Sequence, residues 1–297
     1  MEERAFKSGF INIIGNPNVG KSTLANALVG ENLSIVTAKA QTTRHRIMGI
    51  VNGEDYQMVF SDTPGILKPS YKLQESMMEF VKGAFTDADI ILYVTDTVEN
   101  PEKNKDYVER LNKMECPVIV VINKIDLTNQ QKLERLVEEW HKRVPAAEIF
   151  PTSALNRFNL ESIFNRIKEL LPQQHAWYDR DALTDRNLRF FASEIIREKI
   201  LLNYQKEIPY CTEVVIEKFE EGEKLYNIDA VINVMRESQR GIIIGSKGSL
   251  IKKVGIEARK EMELFFQKRV YLSLFVKVDA GWRENEKELK RFGYINL

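Results

Sequence analysis

The chain has 297 residues, 43% hydrophobic and 29% charged, with 43 basic side chains against 43 acidic ones. That length favours two domains, and the balanced charge names no partner class. Two cysteines, Cys116 and Cys211, exclude a disulfide framework and make a reducing cytoplasm the simplest home, while His45, His141 and His175 lack metal-ligand spacing. The first eight residues carry no signal-peptide apolar stretch, and no apolar run approaches the ~20 residues that span a bilayer.

The first part alternates apolar strand candidates with helical patterns. Strands are expected at 10–14, 58–60, 90–94, 118–122 and 149–151, and helices at 21–29, 73–85, 103–113, 131–143 and 160–171. This alternation predicts an α/β domain with a mostly parallel sheet. Asn52-Gly53 between the runs 46–51 and 56–60 reads as a hairpin turn, so one antiparallel edge pair is expected. The pattern stops at Leu171-Pro172, and the polar stretch 173–187 reads as a linker.

A second domain is expected over 188–297. It opens on a helix at 188–204 with Phe191, Ile195, Leu201 and Leu202 sharing much of one face. Alternating strands follow at 212–219 and 225–235, joined by the acidic turn 220–223. Then come a glycine- and isoleucine-rich stretch at 241–248, an amphipathic helix around 256–267 and a closing strand at 270–278. The order helix, strand, strand, helix, helix, strand is an α+β reading.

The first domain carries three motifs in order. Gly15-Asn16-Pro17-Asn18-Val19-Gly20-Lys21-Ser22 fits the phosphate-binding loop G-x-x-x-x-G-K-[ST] and lies between strand and helix, with Thr23 next in that helix. Backbone N–H groups and the helix N-terminus can wrap phosphates there, Lys21 reaching the β- and γ-phosphates and Ser22 ligating Mg2+. Asp62-Thr63-Pro64-Gly65 ends the third strand. Asp62 is expected to bind Mg2+ directly or through water, and the Gly65 N–H to sense the γ-phosphate. Between these, the polar segment Ala40-Gln41-Thr42-Thr43-Arg44 offers a threonine that closes over Mg2+ only when the γ-phosphate is present. The residues alone leave Thr42 and Thr43 open. Asn123-Lys124-Ile125-Asp126 follows a buried strand. A buried Asp126 can accept two hydrogen bonds from guanine, and with adenine it would stay unpaired, so GTP is favoured over ATP. Asn123 braces the loop, the Lys124 stem covers the base, and Ser153-Ala154 offers a backbone N–H to the guanine oxygen.

These motifs resemble those of translation-factor-class GTPases. Gln41-Thr42-Thr43-Arg44-His45-Arg46 with Gly15–Ser22 and Asp62–Gly65 is similar to the Era family. The resemblance extends to Ala192-Ser193-Glu194-Ile195-Ile196-Arg197-Glu198-Lys199 and Gly255-Ile256-Glu257-Ala258-Arg259-Lys260. It implies an α/β P-loop GTPase domain over 1–172 that hydrolyses GTP to GDP with Mg2+ held by Ser22, Thr43 and Asp62. Thr43 is then the sensing threonine, and Lys21, Thr43, Gly65 and Asn18 carry the hydrolysis. Ile66 stands where Ras-like GTPases carry a water-orienting glutamine, so slow intrinsic hydrolysis is expected. Related GTPases use an asparagine at the Asn18 position to hold K+; an ordinary loop hydrogen-bonder is the other reading of that residue.

In the second domain, Ile244-Gly245-Ser246-Lys247-Gly248 contains G-x-x-G between two predicted helices and resembles the KH module of the type II arrangement, whose loop clamps a single-stranded nucleic-acid backbone. Residues 236–269 hold nine Lys or Arg against four Glu, a balance of +5 that includes Lys252 and Lys253. The tail aromatics Trp282, Phe292 and Tyr294 either meet bases or pin the tail to the core. By the Era resemblance the RNA is 16S rRNA near its 3′ end and the role is assembly of the small (30S) ribosomal subunit. The resemblance also implies a cytoplasmic monomer with peripheral contact at the inner face of the cell membrane. The competing reading is a nucleotide-gated adaptor acting through a protein or membrane partner; an ATP-dependent kinase is disfavoured by Asn123–Asp126.

Overall fold

The computed structural model describes residues 5–99 and 104–295. The chain divides into two compact units: Met1–Ser34, Thr43–Lys68 and Met77–Asp185 form the first, and Ile35–Thr42, Pro69–Ser76 and Arg186–Leu297 the second.

In the first unit a six-stranded sheet runs in the order β2-β3-β1-β4-β5-β6. Its strands are β1 (Lys7–Gly15), β2 (Ile47–Asn52), β3 (Tyr56–Asp62), β4 (Ile90–Asp96), β5 (Val118–Asn123) and β6 (Glu148–Pro151). All neighbours pair parallel except β2 and β3, the hairpin expected at Asn52-Gly53. Every residue of β4 and of β5 is buried, as a sheet covered on both faces requires. Helices α1 (Lys21–Val29), α2 (Lys72–Thr86), α3 (Lys105–Leu111), α4 (Gln130–Arg143) and α5 (Leu160–Leu170) separate the strands. The expected start of the third helix, Lys103, lies outside the described residues. Ile11, Ile13, Leu92, Ile119 and Val121 pack with Leu24 and Leu28 of α1 and Ile163 and Ile167 of α5 in one core.

The polar stretch read as a linker is tied down as far as Asp185. Gln57 is fully buried; its side-chain N–H2 donates to Tyr178 O at 2.9 Å, and its oxygen accepts from the backbone N–H groups of Trp177 at 2.7 Å and Tyr178 at 3.0 Å. On the edge strand β2, Ile50 N–H donates to Leu183 O at 2.8 Å and Met48 N–H to Asp185 Oδ1 at 3.0 Å. These bonds come from single residues at irregular spacing, so no periodic pattern announces them.

The second unit contains α6 (Leu188–Asn203), β7 (Glu213–Glu221), β8 (Leu225–Val234), α7 (Glu237–Ile244), α8 (Ser249–Phe266), β9 (Arg269–Val278) and α9 (Glu286–Arg291). β7 pairs antiparallel with β8, and β8 parallel with β9. The buried face of α6 is Ala192, Ile196 and Ile200, spaced four apart; Leu202, expected on that face, is 58% exposed. Helix α8 begins seven residues earlier than the sequence pattern suggests, because Gly255 and the Lys252-Lys253 pair interrupt the period while Val254, Ala258 and Met262 continue the core stripe at i+4. Arg197, 2% exposed, forks onto Glu194 through Nε and Nη2 with bonds of 2.7 and 2.6 Å, a charge-assisted pair inside the unit, while its Nη1 is buried without a partner. The tail alternative resolves for two aromatics: Trp282 is fully buried and donates to Cys211 O at 3.2 Å, and Tyr294 donates to Glu213 Oε2 at 2.8 Å.

Candidate functional site

The phosphate-loop residues lie where β1 ends and α1 begins, at the carboxyl edge of the parallel strands, where α/β sheets hold their ligands. Lys21 is 6% exposed, and its ammonium donates to Asn16 O at 2.9 Å. Burial pulls its pKa down to about 8, against the opposing charges of Asp62 and Glu99. Burial likewise raises the Asp62 carboxyl, countered by Lys21. An ammonium and a carboxylate kept from water are poised for a charged ligand rather than for bulk solvent.

Three oxygens converge beside them. Ser22 Oγ lies 2.7 Å from Asp62 Oδ2 and 2.8 Å from Thr43 Oγ1, and Thr43 Oγ1 lies 3.3 Å from the same carboxylate oxygen. Asp62 Oδ1 is buried without a hydrogen-bond partner. Two hydroxyls and a carboxylate with an unsatisfied oxygen form a hard donor set that fits Mg2+. Thr42, the other threonine, is engaged elsewhere: its Oγ1 donates to Lys39 O at 2.6 Å and lies 2.7 Å from Thr37 Oγ1.

Gly65 comes so close to the phosphate loop that a Cβ there would lie 2.7 Å from Pro17 N and 2.8 Å from its Cα. The next residue fixes the approach, since Ile66 N–H donates to Gly15 O at 3.0 Å. Ile66 itself is 6% exposed and offers no polar atom to a water molecule. Thr63 Oγ1 donates to Ile13 O at 2.7 Å, and Pro64 is buried with it at the end of β3.

At the base end, Asn123 is 2% exposed and links two loops: its Nδ2 donates to Val19 O at 2.8 Å and its Oδ1 accepts from Ala154 N–H at 2.9 Å. The Ala154 N–H is thereby already used. Of the two residues expected to reach a guanine oxygen, Ser153 keeps the weaker tie, its N–H meeting Phe158 O only at 3.4 Å. Lys124, with left-handed backbone, forms an ion pair of 2.7 Å with Asp96. Asp96 escaped sequence reasoning, although an acid closing the largely apolar run of β4 was the available signal. Asp126 was expected to be buried and is exposed; Ser153 Oγ donates to its Oδ1 at 2.5 Å. Asn18 is exposed on a left-handed backbone, with Lys124 Nζ donating to its carbonyl.

In the second unit the segment 245–248 joins α7 to α8. Gly245 and Gly248 both have positive φ, 71° and 76°. A Cβ on Gly245 would strike the Leu250 side chain at 2.7 Å, whereas one on Gly248 would meet nothing within 4 Å. Gly245 thus serves the fold of the loop itself, and open approach from outside belongs to Gly248. Ser246 and Lys247 are exposed, Ile243 is fully buried, and Ile242 is 47% exposed. Ile244 lies between these extremes, so the isoleucine run divides between core and surface. Lys252 and Lys253 are exposed on the first turns of α8, Lys253 standing 3.8 Å from Glu257. The loop sits at the N-terminus of this 18-residue helix, where unpaired N–H groups favour an anion.

The 50S ribosome-binding GTPase family matches residues 10–124, and the KH domain family matches residues 207–283. The chain is 44% identical to the GTPase Era of Syntrophus aciditrophicus over 97% of its own length and 95% of that protein. It is 42% identical to the GTPase Era of Clostridium kluyveri over 97% of this chain and 99% of the relative. Among solved structures it is similar to Era in complex with MgGDPNP and nucleotides 1506–1542 of 16S ribosomal RNA, with a TM-score of 0.93, 40% identity and coverage of 98% of this chain and 100% of that one. The same values hold for an Aquifex aeolicus Era variant bound to GDP and AlF4−.

Proposed function

The chain belongs to the Era family of GTPases and is itself a GTPase, and from that premise we propose that it binds 16S rRNA near the 3′ end and acts in small-subunit assembly. Residues 1–172 form the GTPase domain in this reading, 173–187 the connection, and 188–297 the KH domain with its tail. The observation that carries the RNA reading is the exposed Ser246-Lys247 pair at the N-terminus of α8, flanked by a glycine whose missing Cβ leaves open space. A relative of this near-identical fold was crystallised with that RNA.

In the nucleotide site Lys21 holds the β- and γ-phosphates, and the backbone N–H groups of 15–23 surround them. Ser22, Thr43 and Asp62 would hold Mg2+, which would neutralise phosphate charge. Gly65 N–H meets the γ-phosphate and reports its loss. Asp126 accepts from guanine, and its desolvation comes from the base rather than from the protein, since protein atoms alone leave it exposed. Ile66 cannot orient the attacking water, so hydrolysis is slow unless the ribosomal partner or a cation assists. Asn18 is the residue we assign to a K+ ion, which would add positive charge where other GTPases bring an arginine.

The protein is cytoplasmic and monomeric in this reading. No helix among the described residues is long and apolar enough to cross a membrane, so membrane contact would be peripheral.

The test replaces Ser246 and Lys247 by Asp in the full chain. Affinity for an oligonucleotide of the 16S 3′ end should fall at least a hundredfold while GTP affinity stays within twofold, since distant sites are usually additive. Unchanged RNA binding by a variant with wild-type circular dichroism would remove the reading. Protein or acidic-lipid partners of the same basic surface would then take its place.

A further inference from the structure

The sheet of the second unit has a second face. Along β9 the even residues Val270, Leu272, Leu274 and Val276 pack on the helices, so the odd residues Arg269, Tyr271, Ser273, Phe275 and Lys277 point to the other side. Tyr271 is 61% exposed and Phe275 57%. Two large rings on one face of an edge strand are left uncovered, with a cationic side chain beyond each and a small hydroxyl between them.

We propose that this outer face of β9 is a second contact for single-stranded nucleic acid, Tyr271 and Phe275 stacking on bases while Arg269 and Lys277 meet phosphates. The proposal rests on the RNA-binding reading above and extends the path beyond the 245–248 loop.

The charge pattern favours this occupant. Arg269 and Lys277 are both exposed and bracket the rings. Two acids border the strip: Asp229 of β8, opposite Ser273 and itself opposite Lys218 of β7 in the register, and Asp279, two residues beyond Lys277 and close enough for their charges to interact. Glu220 is ion-paired with Lys218 at 2.9 Å and lies on β7, two strands and about 10 Å from β9. The rings sit four residues apart on one strand, about 13 Å. That spacing, with Ser273 as open floor, suits separate bases, each offering a π-face whatever its sequence. A protein partner would want a continuous apolar surface; here Tyr271 stands opposite Asn227 and Phe275 opposite buried Val231, with Ser273 and Asp229 between the rings. The molecule covers the rest of the face itself: Val231 and Asn233 are buried, and Tyr294 of the tail reaches Glu213. The β9 strip is what remains. Helix α8, which starts at the loop, packs along β9, with the Cβ position of Gly255 3.4 Å from Leu274. That packing is on the even-residue side, so a strand leaving the loop reaches the rings by crossing the free edge of β9.

The test measures binding of the full chain to single-stranded RNA of four and of twelve nucleotides, because a KH loop clamps about four. Wild type should bind the longer probe at least tenfold more tightly. Tyr271→Ala/Phe275→Ala should remove that gain and leave the short probe unaffected, at an unchanged melting temperature, since both rings are exposed. Tyr271→Leu/Phe275→Leu should behave like the alanine pair, being apolar without a π-face, and Tyr271→Phe should behave like wild type. Ultraviolet crosslinking of the long probe should recover peptides joined at Tyr271 or Phe275. Wild-type affinity for the long probe in either double variant would overturn the stacking face alone, as would an equal loss for both lengths. Failure of wild type to bind either probe would remove the RNA reading, and this proposal with it.

Discussion

In the loop of residues 15–22 the backbone is held from outside by Asn123 on Val19 O and Ile66 N–H on Gly15 O, and from within by Lys21 on Asn16 O. In the loop of residues 245–248 the backbone is held only by bonds from nearby in the chain, Gly245 N–H on Gly241 O of α7 and Gly248 N–H on Gly245 O, while Ser246 and Lys247 face solvent. Both segments set glycines around a lysine next to a helix N-terminus. The first fixes its donors in advance, which suits a small ligand whose reacting atoms must be placed within fractions of an ångström. The second offers charge and open space, which suits a polymer that binds at many points along its length.

The largest test of this contrast is Lys21→Ala. It should lower GTP affinity or turnover by at least two powers of ten, about 3 kcal/mol for taking the ammonium partner of a phosphate out of a desolvated site. Equilibrium nucleotide titration and single-turnover hydrolysis read it, and near-normal values would deny the buried lysine its role. Next comes Asp126→Asn, which should weaken GTP roughly thirtyfold, about 2 kcal/mol for a charged hydrogen bond. It should also turn preference towards xanthine nucleotide, whose 2-oxo group reverses the demand. A retained guanine preference would break the base assignment despite the Ser153 contact.

The glycine pair separates the inner task from the outer one. Gly245→Ala meets Leu250 as well as an unfavourable φ and should destabilise the second unit by about 2 kcal/mol, whereas Gly248→Ala meets only the φ and should cost about 1 kcal/mol. RNA affinity should show the reverse sensitivity once the loss of folded protein is corrected for. Denaturant melts paired with binding isotherms decide it, and equal stability losses would mean that Leu250 moves aside freely. The smallest effect concerns the cation. Hydrolysis should run severalfold faster in K+ than in Na+ at equal ionic strength, and Asn18→Ala should erase the difference. Equal rates of the wild type in the two salts would return Asn18 to plain loop chemistry.

The sheet and nucleotide motifs were legible because their signals are local: an apolar run, a turn and a helix start within some twenty residues. Lys21, Ser22 and Asp62 follow from spacing alone. The family resemblance already favoured Thr43 over Thr42, and the coordinates add the short distances from Thr43 to Ser22 and Asp62 that the residues alone could not give. The exposure of Asp126 and the prior use of the Ala154 N–H were also invisible, for both depend on which atoms other loops bring near. In the second unit the order of elements was readable, whereas the true start of α8 was hidden by Gly255 and a lysine pair in its first turns. The two-sided character of β9 appears in the alternation of its residues, yet only their exposure in the folded unit shows that the odd-numbered side of this strand stays uncovered.

The stretch 173–185 has a practical consequence for anyone cutting the chain. It supplies acceptors to Met48 and Ile50 on the outermost strand β2 and fills the bonding capacity of buried Gln57. A fragment ending at 172, where the strand–helix alternation stops, would bare that strand's amides and remove three of the glutamine's hydrogen bonds while leaving the one to Asn52 Oδ1. Such a fragment should self-associate through its open edge at high concentration. One ending at 185 should stay dispersed, and sedimentation of the two would tell a seam in the sequence from a seam in the matter.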